Sequence, residues 1–307
     1  MRLPGGKSSQ YPGLHQREVN LDGVRVTYTE AGEGPPVLML HGAVSAGNVF
    51  WWDSQVALSA HARTLAPDFP GWGESDRPLT AYTREFYHRF LDDFLDVLGL
   101  DRVTIVAHSM GGLIGSSYAL TNPHRVAGLA TVGVPPVWVD IPIPELFQPF
   151  LRPVIGETML MATPFLGIKH PWGIRHYYES LFHDLQGVDV DRLKEVLRQG
   201  CQVVADSYHR QAFLSTFRSN QLYFTQGTSA LFLELLKDAT FPVMMVAGVQ
   251  DPLFPIDLFR TAAERHPGAQ FVALDPCGHF PMWEHPDRVN EVLQGFVTPV
   301  PNLLASP

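Results

Sequence analysis

Ser109, His279 and Asp251 are scattered along this chain of 307 residues, yet together they could run nucleophilic catalysis at a carbonyl carbon. Ser109 lies in "VAHSMGG", between Ala107 and Gly111. A sharp strand-to-helix turn lifts a serine oxygen clear of the backbone and leaves no room for bulk two residues to either side. Glycine is usual at both places, so Ala107 is a departure, by the smallest possible side chain. A serine that only caps a helix is the plainer reading. A buried strand before it and a helix after it are the context that a nucleophile requires.

The hydroxyl needs a base, and the base needs a group that fixes its tautomer. His108 is adjacent to Ser109, and neighbours on such a turn point different ways. His279, in "PCGHFPMWEHP", falls on a loop after the last strand, where Gly278 lets the chain bend. His285 precedes Pro286 at a helix start and reads as structural. For the acid, Asp251 in "VAGVQDPLFP" stands just past the next-to-last strand, at the sheet edge where ligands gather. Asp140, just past the strand before a long insert, is the main rival. Asp275 is too close to His279 in sequence, and Asp257 falls near a helix start. A tetrahedral oxyanion needs preorganised donors. The amide of Met110, at the start of a helix, is one candidate. The amide of Ala43, after the "LMLHG" strand, is the other.

The elements that would position these groups alternate. Residues 17–30 read as two strands around an Asp22-Gly23 turn. "PPVLMLHG", "RVTIVAHS", "VAGLATVGV" and "FPVMMVAG" are short apolar runs of the kind buried on both faces of a parallel sheet. Strands also open at "RTLAP" and "AQFVALD". Helices are expected over 83–98, from Ser109 to Asn122-Pro123, and over 286–296. The sum is an α/β fold with a parallel sheet covered on both sides. From Pro135 the rhythm breaks into Pro-rich, aromatic and helical segments. The expected organisation is therefore a core of residues 1–134 and 233–307, with a helical cap over 135–232.

Composition narrows the function. A formal charge of −9 without a basic cluster argues against nucleic acid as a partner. The apolar stretch 133–168 is interrupted by prolines and by Asp140, Glu145, Arg152 and Glu157, so stable membrane insertion is not expected. The N-terminal residues lack the apolar centre of a secretory signal, which points to a cytoplasmic protein. Cys201 and Cys277 match no zinc spacing and read as reduced thiols. No glycine-rich dinucleotide turn or metal-spaced set is present, so no cofactor or metal is expected.

"LHGAVSAG", "DFPGWGESDRP", "VAHSMGGLIG", "VAGVQDPLFP" and "PCGHFPMWEHPDRV" resemble, in order and spacing, the α/β-hydrolase superfamily, close to its serine esterase and lipase-like members. The resemblance spans roughly 17–134 and 233–298. It implies a mostly parallel eight-stranded sheet with helices on both faces and a helical cap inserted after strand six. It also implies Ser109 as nucleophile, Asp251 as acid, His279 as base, and Ala43 with Met110 as oxyanion donors.

A serine at this turn suits attack on a carbonyl. At a saturated carbon it would form a stable ether, which disfavours epoxide and haloalkane hydrolysis. Carboxylic ester hydrolysis through an acyl-enzyme is therefore the first expectation, with a hydrophobic small ester or related carbonyl compound as partner. Carbon–carbon hydrolysis of β-diketone-like or ring-cleavage products is the second. "GHFPMWEHP" is close to what such enzymes carry, although they usually have asparagine where this chain has His108. A non-catalytic receptor or scaffold is the third. Pocket walls are expected from Val44, Leu253 and Phe280, and from some of the cap aromatics Trp138, Phe147, Phe150, Phe165, Trp172, Tyr177 and Tyr178, most of which read as packing against the core.

Overall fold

Asp22 and Gly23 both adopt positive φ, 48° and 89°. Such a pair matches the right-handed twist of the strands it joins, and it pairs β1 (His15–Leu21) with β2 (Val24–Ala31) in antiparallel register. The structure is a computed structural model and describes residues 11–43, 47–162, 179–185, 188, 193, 196, 206–219 and 228–298. Six further strands complete the sheet: β3 (Pro36–Leu40), β4 (Arg63–Pro67), β5 (Val103–His108), β6 (Val126–Val132), β7 (Val243–Gly248) and β8 (Gln270–Leu274). Their order is β1-β2-β4-β3-β5-β6-β7-β8. β2 meets β4 antiparallel, and every pairing from β4 through β8 is parallel.

The parallel strands carry the apolar runs because helices cover both of their faces. All six residues of β7 are buried, and β5 is buried except at Thr104. The edges differ. β1 turns His15–Glu18 to solvent and β8 is only half covered, which blunts edge-to-edge pairing.

Between strands run α1 (Trp52–Leu58), α2 (Arg84–Val97) and α3 (Met110–Thr121). Thr83 caps α2, its hydroxyl accepting the Phe86 amide at 3.1 Å. One face of α2 buries Tyr87, Phe90, Leu91, Phe94 and Leu95, within the span 83–98 expected to be helical. The described residues between β6 and β7 form α4 (Gln148–Leu151), α5 (Ile155–Ala162), α6 (Ser207–Ser219) and α7 (Thr228–Leu236), with no strand among them. After β7 come α8 (Ile256–Arg265), α9 (Pro281–Glu284) and α10 (Pro286–Val297). Among the described residues no helix is long and apolar enough to cross a membrane. Val44, Phe165, Trp172, Tyr177, Tyr178 and Cys201 fall outside the described residues.

Phe94 joins α2 to the sheet, packing edge-on against Tyr28 at 5.4 Å with no exposed surface. Phe94→Ala is expected to cost about 3–5 kcal/mol in urea unfolding. Leu79→Ala, at a site 71% exposed, should stay within about 0.5 kcal/mol. Equal losses at the two positions would contradict this account of the core.

Candidate active site

The four segments expected to meet do so at one edge of the sheet, because β3, β5, β7 and β8 are parallel and end on the same side. Ser109 leaves β5 at φ 52°, ψ −122°, a conformation that costs of order 1–3 kcal/mol for a residue with a side chain. Its amide donates to the Val132 carbonyl at 3.2 Å, and its own carbonyl accepts the Gly112 amide at 2.8 Å. The turn is thus tied to β6 and to α3.

The small residues around Ser109 have separate reasons. A Cβ on Gly111 would stand 2.5 Å from the His41 carbonyl oxygen, so β3 can approach α3 only if residue 111 is glycine. A Cβ on Gly42 would meet His108 Nδ1 at 2.8 Å and Ser109 Cβ at 3.0 Å. Ala107 keeps its methyl because residue 115, across from it, is glycine: a Cβ there would lie 3.3 Å from Ala107 Cβ. The departure from the usual pattern is absorbed one helical turn downstream.

His279 Nε2 lies 3.0 Å from Ser109 Oγ, and His279 Nδ1 lies 2.8 Å from Asp251 Oδ2. A carboxylate only accepts, so Nδ1 carries the proton and Nε2 is left to receive the serine's. The other Asp251 oxygen accepts the amides of Leu253 at 2.8 Å and Phe254 at 3.2 Å. The His279–Asp251 pair has no solvent-exposed side-chain surface. Asp140, the rival, is exposed and accepts the Ser229 hydroxyl at 2.6 Å. Asp275 accepts Gln250 Nε2, and Asp257 stands in the first turn of α8.

His108 is a buttress. Its Nε2–H donates to the His279 carbonyl at 2.9 Å, while its Nδ1 is buried without a partner. Burial, then the nearby His279 ring, pushes His108 well below the usual histidine range, so it stays neutral. His285 does similar structural work, with its Nε2 on the Pro276 carbonyl. The loop around His279 is held by the Leu181 carbonyl, which takes the His279 amide at 2.8 Å, and by Glu284, which takes the Gly278 amide at 2.9 Å. Cys277 is buried beside it, and burial raises its thiol out of the nucleophilic range.

Ala43 and Met110 line one cavity with Ser109. Met110 opens α3, so its amide has no partner within the helix. Among the described residues no acceptor takes the Ala43 amide either. The strand end that carries Ala43 is fixed by His41, a residue the motif reading passed over. His41 Nδ1–H donates to the Gly42 carbonyl at 2.8 Å, and its Nε2 accepts the Phe69 amide at 3.0 Å. Asp68, also buried, holds the next segment by accepting the amides of Asn48 at 2.7 Å and Glu74 at 2.8 Å. Burial raises its carboxyl to about 7. Among the described residues no group of three histidine, cysteine or acidic side chains is placed to hold a metal ion.

Residues 35–286 match the model of a protein family described as the alpha/beta hydrolase fold. The chain belongs to that family. Among curated relatives, a 2-hydroxy-6-oxo-6-(2'-aminophenyl)hexa-2,4-dienoic acid hydrolase from Metapseudomonas resinovorans is 28% identical, over 92% of this chain and 91% of its own. A 2-hydroxy-6-oxononadienedioate/2-hydroxy-6-oxononatrienedioate hydrolase from Dechloromonas aromatica is also 28% identical, over 92% and 93%. Among solved structures, a haloalkane dehalogenase from Agrobacterium tumefaciens superimposes with a TM-score of 0.76 at 22% identity, covering 94% of this chain and 97% of its own. At that identity the likeness is one of fold.

Among the described residues, the cavity beside Ser109 is lined by only part of the expected set. Besides Ser109, Ala43 and Met110, its walls are Leu113, Phe147, Thr216, Phe217 and Phe254. Phe147 is one of these lining residues. Trp138 is not among them: it is fully buried, with its indole N–H on the Ala262 carbonyl of α8 at 3.2 Å. Phe280 packs beneath the loop, stacked on Phe182 at 4.7 Å. Leu253 is buried in the turn around Asp251, and that turn gives the wall position to Phe254 instead. Thr216 and Phe217 come from α6. Where α6 lies over the core is a tertiary outcome that no local motif signals.

Burial lowers His41 from 6.5 to about 4. Between those values the unfolded chain binds a proton that the folded chain refuses, so the native state loses stability as pH falls through this window. The loss from this residue approaches about 3 kcal/mol near pH 4. In His41→Gln the urea midpoint should fall less steeply over that window than in the parent protein. Parallel profiles would contradict the assignment of a buried neutral imidazole.

Proposed function

We propose that this protein is a serine hydrolase that cleaves the bond beside a carbonyl in an apolar substrate, and that carbon–carbon hydrolysis of a keto-dienoate or β-diketone-like compound is its first reaction class. The observation that carries the reading is the buried line Asp251–His279–Ser109, at 2.8 and 3.0 Å, with Ser109 on the wall of a cavity that Ala43 and Met110 also line. The names of the curated relatives favour the carbon–carbon class. They reverse the order set by sequence alone, where ester hydrolysis stood first.

In this mechanism His279 Nε2 takes the proton of Ser109 as its oxygen attacks the carbonyl carbon. The resulting oxyanion rests on the amides of Ala43 and Met110. Collapse breaks the bond to the leaving group, which receives the proton from His279. The acceptor is carbon for a diketone and oxygen for an ester. Water then repeats the sequence on the acyl-enzyme and releases the acid. Asp251 holds the imidazole in the required tautomer throughout. A carbon leaving group departs only if its charge spreads onto a second carbonyl as an enolate, which is why the substrate class is vinylogous or β-dicarbonyl.

Ester hydrolysis is the second reading, and the cavity favours it: among the described lining residues none is cationic to meet a substrate carboxylate. A panel of hydroxy-oxo-dienoates and nitrophenyl esters separates the two. The first reading expects the larger kcat/KM on a dienoate, and Ser109→Ala should lower it at least about a thousandfold while remaining folded. Turnover of esters alone would select the second reading. Comparable turnover by Ser109→Ala would overturn both.

A further inference from the structure

Apart from Ser109, Thr216 is the only polar side chain among the described residues that line the cavity. It is 1% exposed and sits on α6, directly before Phe217. Its oxygen lies 2.9 Å from the Tyr87 phenol oxygen, which in turn lies 2.9 Å from Trp72 Nε1. Tyr87 and Trp72 are also buried.

The direction of this chain follows from its donors. An indole N–H can only donate, so the Tyr87 oxygen accepts from Trp72. The Tyr87 proton then needs an acceptor in a site closed to water, and Thr216 Oγ1 is the one within reach. Burial also pushes the Tyr87 phenol above the ordinary tyrosine range, so that proton stays in place. Thr216 is therefore an acceptor toward Tyr87, and its own proton is left over. It does not fold back onto its helix as Ser116, Ser117 and Thr121 do in α3, each donating to a carbonyl three or four residues earlier. Among the described residues no acceptor takes it. The helix around it is fixed, because the neighbouring Ser215 hydroxyl accepts the Tyr82 amide at 2.9 Å.

We propose that Thr216 is a substrate-binding donor that reads a second oxygen on the substrate, a keto or enolate oxygen beyond the carbonyl attacked by Ser109. This rests on the serine hydrolase reading and sharpens it. An otherwise apolar cavity with one oriented donor accepts a hydrophobic carbonyl compound and distinguishes a dicarbonyl from a monocarbonyl. In carbon–carbon cleavage that second oxygen bears the charge of the leaving enolate, so the same contact would strengthen as the bond breaks.

Benzoylacetone and butyrophenone test it, since they share a skeleton and differ by one keto oxygen. Binding is measured to Ser109→Ala protein, which cannot turn them over. The diketone should bind roughly tenfold tighter, the worth of one buried hydrogen bond. Adding Thr216→Ser should keep that ratio, and adding Thr216→Val or Thr216→Ala should bring it near one. The Ala variant covers the case in which valine disturbs α6. Equal binding of the two ketones to the Ser109→Ala protein, or a preference that survives loss of the hydroxyl, would overturn the proposal. Fluorophosphonate labelling of Ser109 in the parent protein reports separately on the serine hydrolase reading: without that label the reading itself fails, whatever the ketones do.

Discussion

Ser109 occupies a backbone conformation that favours glycine, at φ 52° and ψ −122°, and much of the surrounding structure serves to hold it there. The strain must be offset by contacts that leave no alternative. β6 takes the amide, α3 takes the carbonyl, and β3 closes against Gly111 so tightly that one added methyl would overlap the His41 carbonyl. The same closeness leaves Ala43, Met110 and Ser109 on the wall of one cavity, so the contacts that force the turn also gather these three residues.

The histidines divide the labour around that turn. His279 bridges the serine and the aspartate, whereas His41 and His108 hold backbone: one sets the strand end beneath Ala43, the other the carbonyl of His279 itself. Both are kept neutral by burial. The His108 ring centre lies 4.9 Å from that of His279, so a charge on His108 would stand directly beside the His279 imidazole. Removed from solvent, the two rings serve as neutral hydrogen-bonding struts, His41 under the end of β3 and His108 under the His279 loop.

The candidate triad was legible in the sequence because each member sits at a strand end marked by glycine or proline, and the parallel sheet brings such ends together. The helix boundaries of α2 and α10 followed from spacing and capping in the same way. The cavity was legible only in part. Phe147 was anticipated; Trp138, Leu253 and Phe280 turned out to be packing residues, each committed to a contact that adjacency to the site could not reveal. Phe254 was missed by one position because the Asp251 turn decides which of two neighbours faces inward. Thr216 was missed because its meaning depends on Tyr87 and Trp72, which lie 129 and 144 residues away in the chain (216 − 87 and 216 − 72).

The central claim is that Ser109 is a nucleophile activated by His279. Mass spectrometry of the intact protein and its peptides after treatment with a small fluorophosphonate tests it most directly. One adduct per chain is expected, on Ser109, formed at least about a hundredfold more slowly when His279 is replaced by alanine. An adduct on another residue, or equal rates with and without His279, would contradict it.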